Sequence, residues 1–269
     1  MLTELLSVAE AVARACGQLI VEQRPAIVDV AATKSSEVDI VTIMDELSEQ
    51  LAYTMIGELR PDDGILGEEG VDKVGTSGIT WVVDPIDGTV NYLYEIPAYA
   101  VSVAAVTGDP RSANWRPLVG VVYNPAIDEL FLAAEGRGAR LVTAQGEVAL
   151  SAKQPRPLAQ SLIATGFAYR SEDRRWQGAA VADLLPRVRD IRRAGSAALD
   201  LCNVAAGRVD AYYESGLNAW DYGAGWLIAT EAGHMVRGLD DVPTKELTIA
   251  GPAEHCAELA ALVRAHRPA

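Results

Sequence analysis

Cysteine, basic residues and histidine are all scarce in this chain, and each scarcity excludes something. Only 3 of the 269 residues are cysteine. Cys16, Cys202 and Cys256 are odd in number and lie far apart in Ala-rich surroundings. Neither a disulfide framework nor a zinc site fits that spacing, and reduced thiols in a cytoplasmic protein are the plain expectation. Basic side chains are outnumbered, with 23 Lys and Arg against 37 Asp and Glu and a formal net charge of -14. A nucleic-acid or anionic-membrane binder would present a basic face, so neither partner is expected. The three histidines, His234, His255 and His266, fall at no metal-ligand spacing. No apolar run is long enough to span a bilayer. Met1-Leu2-Thr3-Glu4 opens without a basic segment before an apolar stretch, which predicts a soluble protein with no signal peptide.

What remains is an apolar chain with acidic turns. Hydrophobic residues make up 49%, enough for a substantial core in one large unit or two lobes sharing an interface. Leu2, Leu5, Leu6, Ala9, Val12, Ala13, Cys16, Leu19 and Ile20 recur at helical spacing, and Arg24-Pro25 supplies a stop. A second helix is expected from about Thr42 to Leu59, burying Leu47, Leu51 and Ile56. Strands are expected at Ile79 to Val83, Tyr99 to Val106, Leu118 to Tyr123, Glu129 to Ala133 and Ala139 to Val142, separated by turn residues. The second half alternates strands with helices around 173–185, 197–206, 222–232 and 253–264. Such alternation fits a layered α/β or α+β sandwich. Gln154-Pro155-Arg156-Pro157 marks the boundary between a lobe over 1–153 and a lobe over 154–269.

Acidic residues stand at the strand ends and turns. Glu68 and Glu69 sit in Gly67-Glu68-Glu69-Gly70, Asp84 and Asp87 follow Trp81-Val82-Val83, Asp221 follows Trp220, and Asp45 lies one turn into the second helix. Taken singly, each has a structural explanation: Asp-Pro and Asp-Gly are common in turns, and Asp221 could be a helix N-cap. The run Asp84-Pro85-Ile86-Asp87-Gly88-Thr89 is different, because it combines carboxylates with a potential phosphate cradle. Hard cations such as Mg²⁺ take carboxylate and carbonyl oxygens. Gly88 lets backbone approach a ligand, and the Gly88 and Thr89 amides would form an anion site if they open a helix. Bound cations would also let so acidic a protein attract a phosphate.

Two segments carry a resemblance to a known family: Trp81-Val82-Val83-Asp84-Pro85-Ile86-Asp87-Gly88-Thr89-Val90-Asn91-Tyr92, and Trp220-Asp221-Tyr222-Gly223-Ala224-Gly225 running into Glu231-Ala232-Gly233. With Lys34-Ser35-Ser36, Gly67-Glu68-Glu69 and Ala211-Tyr212-Tyr213-Glu214 in the expected order, the chain resembles the lithium-sensitive inositol monophosphatase family. The resemblance implies an αβαβα sandwich, usually a homodimer, that hydrolyses a small phosphorylated alcohol. It implies one Mg²⁺ held by Glu68, Asp84 and the Ile86 carbonyl, a second by Asp84, Asp87 and Asp221, and a weaker third near Glu68, with Glu69 nearby as a further catalytic residue. Thr89 and Asp45 would orient and deprotonate the attacking water, and the Gly88 and Thr89 amides would hold phosphate with Lys34 at the edge. Glu214, Asp87 and Gly195-Ser196-Ala197 would contact the alcohol. Myo-inositol 1-phosphate is the first substrate implied; fructose 1,6-bisphosphate, histidinol phosphate and 3′-phosphoadenosine 5′-phosphate are alternatives. A role as a binding partner of transcription machinery is an alternative of another class. Asn218 stands where animal members of the family have His, and the loop Gly166-Phe167-Ala168-Tyr169-Arg170 resembles bacterial members.

Two rival phosphatase chemistries are weaker. Cys202 and Arg208 satisfy Cys-x5-Arg, but Asn203-Val204-Ala205-Ala206-Gly207 between them read as a helix end, whereas a thiolate nucleophile needs a Gly-rich amide loop. An aspartyl-phosphate mechanism needs Asp-x-Asp, and Asp84 and Asp87 are one residue too far apart. Gly136-Arg137-Gly138 lacks the third Gly of a dinucleotide loop and reads as a turn.

Overall fold

The computed structural model describes residues 1–25, 28, 30–33, 40–70 and 72–268. The chain runs α1 (Leu2–Glu22), β1 (Val30–Thr33), β2 (Ile40–Thr42), α2 (Ile43–Leu59), β3 (Gly64–Gly67), β4 (Asp72–Lys73), β5 (Ile79–Asp87) and the short α3 (Thr89–Leu93). A meander follows: β6 (Ala100–Gly108), β7 (Trp115–Asn124), β8 (Glu129–Ala134), β9 (Ala139–Thr143) and β10 (Gly146–Leu150). The second half comprises β11 (Leu162–Thr165), α4 (Ser171–Leu184), β12 (Asp190–Arg192), α5 (Ala197–Ala205), β13 (Ala211–Glu214), α6 (Ala219–Glu231), β14 (Met235–Arg237), β15 (Thr248–Gly251) and α7 (Ala253–His266).

The meander pairs into an eight-stranded sheet, order β10-β9-β8-β7-β6-β5-β3-β4, while the later strands form a five-stranded sheet, β12-β11-β13-β15-β14. Helices α1 and α2 cover one face of the large sheet. Helices α5 and α6 lie between the two sheets, and α4 and α7 close the outer face of the small one. The result is the expected αβαβα layering. The middle layer explains its own composition: α6 reads Ala-Trp-Asp-Tyr-Gly-Ala-Gly-Trp-Leu-Ile-Ala-Thr-Glu because both faces are buried, so small residues replace an amphipathic stripe. Its core joins Val82, Ala104, Val122 and Phe131 of the large sheet to Leu201, Tyr212 and Ala250 of the second half. No helix among the described residues is long and apolar enough to cross a membrane.

Several local expectations change. Leu47 is exposed at 43%, since the face of α2 turned to the sheet carries Met44, Ser48, Ala52 and Ile56 instead. Strand β5 continues past Val83 to Asp87, and β3 and β10 are strands that the alternation pattern did not reveal. Lys34, with Ser35 and Ser36, lies outside the described residues.

Candidate metal centre and active site

The site begins with a break in a ladder. Strand β5 pairs regularly with β6 until Asp84 opposite Ser102, and the next pair is Asp87 opposite Ala100, so β5 carries one extra residue there. Pro85 has no N–H to offer the ladder, which makes a bulge the natural outcome. The Ile86 amide instead donates to Asp84 Oδ1 at 3.1 Å, and Ser48 on α2 donates to the Pro85 carbonyl at 3.3 Å. Gly88 follows at φ 97°, the left-handed turn that opens α3 at Thr89. Ser102 Oγ donates to the Trp220 carbonyl at 3.1 Å, which brings the start of α6 over Asp84. One carboxylate oxygen from each of Asp84, Asp87 and Asp221 then lies within 4.8 Å of the others. Strand β3 runs parallel to β5 with Gly67 beside Val83, so Glu68 comes level with Asp84.

Three acidic side chains of the site are also helix caps. In α2, Asp45 Oδ2 accepts from the Thr42 amide at 2.8 Å and the Thr42 hydroxyl at 2.5 Å, closing a capping box. At α5, Asp87 Oδ2 accepts from Ser196 Oγ at 2.6 Å and the Ala198 amide at 2.7 Å. In α6, Asp221 Oδ2 accepts from the Asn218 amide at 2.5 Å. Asp221 is therefore not the N-cap that a lone-helix reading suggests: Asn218 is the cap, and Asp221 is its reciprocal partner three residues on. In each case Oδ2 does the capping. Asp45 uses its other oxygen: Thr89 Oγ1 lies 3.0 Å from Asp45 Oδ1 and equally 3.0 Å from the Ile86 carbonyl. One hydroxyl proton serves one of these acceptors at a time.

The electrostatics of the cluster sets it apart from a carboxylate buried elsewhere in the chain. Asp63 offers the control: it is buried too, yet Arg60, Ser77 and Trp81 donate to it, and its carboxyl is held below the usual range against the opposing effect of burial. The cluster behaves oppositely. Burial, then the neighbouring charges of Glu68, Asp87 and Asp221, pushes Asp84 well up. Burial, then Glu68 and Asp87, does the same to Asp221. Asp87 is pushed up to about 6 by burial, with the Ser196 and Ala198 bonds opposing, and Asp45 to about 6 by burial, with Thr42 opposing. Like charges crowded into a dry site call for a counter-charge, and an all-oxygen set suits a hard divalent cation. These residues fit a metal.

The loop carrying Glu68 and Glu69 rests on a residue with no sequence signal of its own. Glu49, 3% exposed on α2, accepts from the Glu69 amide at 2.7 Å. A Cβ at Gly67 would overlap that carboxylate. On the other side of the site, the Tyr212 hydroxyl donates to Glu214 Oε2 at 2.7 Å, and a Cβ at Gly166 would overlap Glu214. Burial pushes Glu214 up to about 7, opposed by the Tyr212 bond and the Arg193 charge. Asp200, also unforeseen, is buried beneath; burial, then Glu214 and Asp87, raises it well above a free carboxylate. Asn91 Nδ2 donates to the carbonyls of Ala98 at 2.6 Å and Ala194 at 2.8 Å, tying α3 to the Gly195-Ser196-Ala197 segment. A cavity of about 470 Å³ lies at the start of α6, lined by Leu66, Leu217, Asn218 and Trp220 among others, and none of the cluster carboxylates lines it.

The rival motifs dissolve. Cys202 is fully buried within α5 and its thiol is pushed far up by burial, while Arg208 spends its guanidinium on Glu129. The Gly136 and Gly138 amides hold the Glu231 carboxylate at 2.7 Å each, so that turn anchors α6. His255 meets Ser161 at 2.7 Å and His266 meets Asp183 at 3.2 Å.

The sequence model of the inositol monophosphatase family matches residues 1–267. The chain belongs to the inositol monophosphatase family. It is 47% identical over 208 residues to an inositol-1-monophosphatase of Mycobacterium bovis, covering 76% of this chain and 70% of that protein. It is 39% identical over 234 residues to a protein of Pasteurella multocida named Nus factor SuhB, covering 86% and 84% of the two chains. Among solved structures, Mycobacterium tuberculosis SuhB superposes with a TM-score of 0.81 at 39% identity, covering 98% of this chain and 97% of its own. Membership accounts for the layered fold and for the order of the acidic motifs along the chain.

Proposed function

We propose that this family member is a Mg²⁺-dependent phosphatase of small phosphate monoesters, with myo-inositol 1-phosphate as the first substrate to test. The observation that carries the reading is the convergence of Asp84, Asp87 and Asp221 within 4.8 Å, beside a Thr89–Asp45 contact of 3.0 Å. Ions held by Glu68, Asp84, Asp87, Asp221 and the Ile86 carbonyl would supply charge for the phosphate oxygens and acidify water.

The chain's own groups then have defined work. Thr89 Oγ1 accepts a proton from the attacking water as it passes its own to Asp45 Oδ1, whose raised pKa suits a base near neutrality. The amides of Gly88 and Thr89 receive phosphate oxygens. Ser196 and the Ala198 amide keep Asp87 in one orientation while the alcohol departs beside it. Glu214, Ala197 and the Gly195-Ser196 backbone accept or pack against the hydroxyls of a polyol, with Glu214 aimed by Tyr212. A homodimer belongs to the same reading.

A purified-protein panel tests it: inositol 1-phosphate, fructose 1,6-bisphosphate, histidinol phosphate, 3′-phosphoadenosine 5′-phosphate and glycerol 2-phosphate, each with excess Mg²⁺ and with chelator. Turnover that survives chelation refutes the metal mechanism. The similarity to a protein named Nus factor SuhB supports a second reading, in which the chain acts as a binding partner of transcription machinery. No turnover of any substrate with Mg²⁺ present would favour that reading.

A further inference from the structure

At the end of the small sheet remote from the Gly166 and Glu214 side of the site, several arginines gather. Strands β12, β11 and β13 run parallel, and their C-terminal ends lead to the Gly166 and Glu214 side of the site. Their N-terminal ends surround a cavity of about 360 Å³ lined by Arg156, Gln160, Leu162, Arg189, Arg208 and Asp210. Three guanidinium groups in one hollow are unexpected in a chain of net charge -14. Outside the hollow, the exposed Lys153 ammonium approaches the Gly207 carbonyl at 3.4 Å.

The carboxylates that meet the lining guanidinium groups are Asp210 and Glu129, and both are engaged. Asp210 gives one oxygen to Arg156 at 2.7 Å and the other to the Leu162 amide at 2.8 Å. Glu129 gives both oxygens to Arg208, at 2.6 and 2.5 Å. The Glu129 pair fills the Arg208 fork, whereas Asp210 takes one nitrogen of Arg156 and holds that guanidinium plane in a fixed direction, which lowers the ordering cost of binding an anion. Arg189 is the surplus. Its Nε donates to the Gln160 carbonyl at 2.8 Å, which orients the fork, and no described carboxylate pairs with it.

We infer that this hollow is a second binding site, for the phosphate group of a small phosphorylated metabolite. Arginine forks match phosphate oxygens bidentately, and such charge-assisted bonds are the strong ones. The volume exceeds that of a bare phosphate and falls within the range of small-molecule sites. Leu162 and the Gln160 amide line the space left for the carbon portion. A nucleic-acid phosphate chain fits less well, because the hollow is small and the protein's overall field repels an extended polyanion. The inference is independent of the proposed phosphatase activity.

Metal-free conditions separate the two sites, since the uncompensated carboxylates of the metal centre then repel phosphate. Amide NMR of the full chain in chelator, titrated with inorganic phosphate and with glycerol 2-phosphate, is expected to shift residues 160–162, 189 and 208–210. Arg189→Glu should weaken that binding about tenfold or more, the cost of one charged hydrogen-bonding group. Arg189→Ala should give an intermediate loss, and aryl phosphate turnover with Mg²⁺ should stay within about twofold in both variants. The inference is overturned if neither probe shifts these amides, or if Arg189→Glu leaves the shifts unchanged. It is equally overturned if single-stranded RNA binds there through Arg189 at physiological salt while both small probes fail.

Discussion

The metal-free protein should gain stability from Mg²⁺ at neutral pH and much less in acid. Asp45 and Asp87 rise from 3.8 to about 6 on folding, both through burial. A carboxyl whose folded pKa exceeds its unfolded value holds its proton more tightly when folded. Stability therefore falls as pH rises from about 4 to about 6, and the penalty is complete above that window. Two units correspond to about 3 kcal/mol for Asp45 and a similar amount for Asp87, part of it shared through their common neighbours. Relieving the Asp87 share, about 3 kcal/mol, should raise Tm by roughly 6 °C or more in a domain of this size. The assay is thermal unfolding in chelator and in excess Mg²⁺, at about pH 7.5 and about pH 5. Asp84→Asn should raise the metal-free Tm at the higher pH and abolish the response to Mg²⁺. An equal Mg²⁺ shift at both pH values would refute the reasoning, as would a lower metal-free Tm for Asp84→Asn.

Three further outcomes follow from the same geometry. Glu214→Gln keeps the acceptor for Tyr212 but loses charge, so it should depress kcat/KM for inositol 1-phosphate by about tenfold while sparing an aryl phosphate; equal losses on both substrates remove Glu214 from recognition. Thr89→Ala should lower kcat by about 10² or more with little change in KM, measured at saturating Mg²⁺, because it interrupts the contact with Asp45. Cys202→Ser should retain full kcat and cost about 1–3 kcal/mol of stability in urea unfolding, since a hydroxyl replaces a thiol in a dry helix contact.

Much of this was legible in the chain because it was written in short, local chemistry. Asp84 to Thr89 reads as a turn with carboxylates and amides, and the apolar run at 222–232 reads as a helix, though its burial between two sheets shows only in the structure. What escaped depended on partners distant in sequence. Glu49 looks like any solvated helix acid until Gly67 packs against it. Asp200 sits in a helix whose burial comes from two sheets at once. Leu47 has helical spacing but faces outward, because the inward stripe of α2 includes the polar Ser48 and Glu49. Strand β3 is four residues with glycine at both ends, too brief for a period-two signal. The extension of β5 to Asp87 required a bulge, which depends on how β6 registers beside it.

The division of labour within Asp45, Asp87 and Asp221 bears on how their mutants are interpreted. One oxygen of each terminates a helix while the other is left for chemistry. Alanine at these positions therefore deletes two things at once, and an inactive variant so made could be inactive because its helix has frayed. Asparagine retains the neutral oxygen that the amides need and withdraws only the charge. Comparing the two replacements at each position would separate architecture from reactivity one atom at a time.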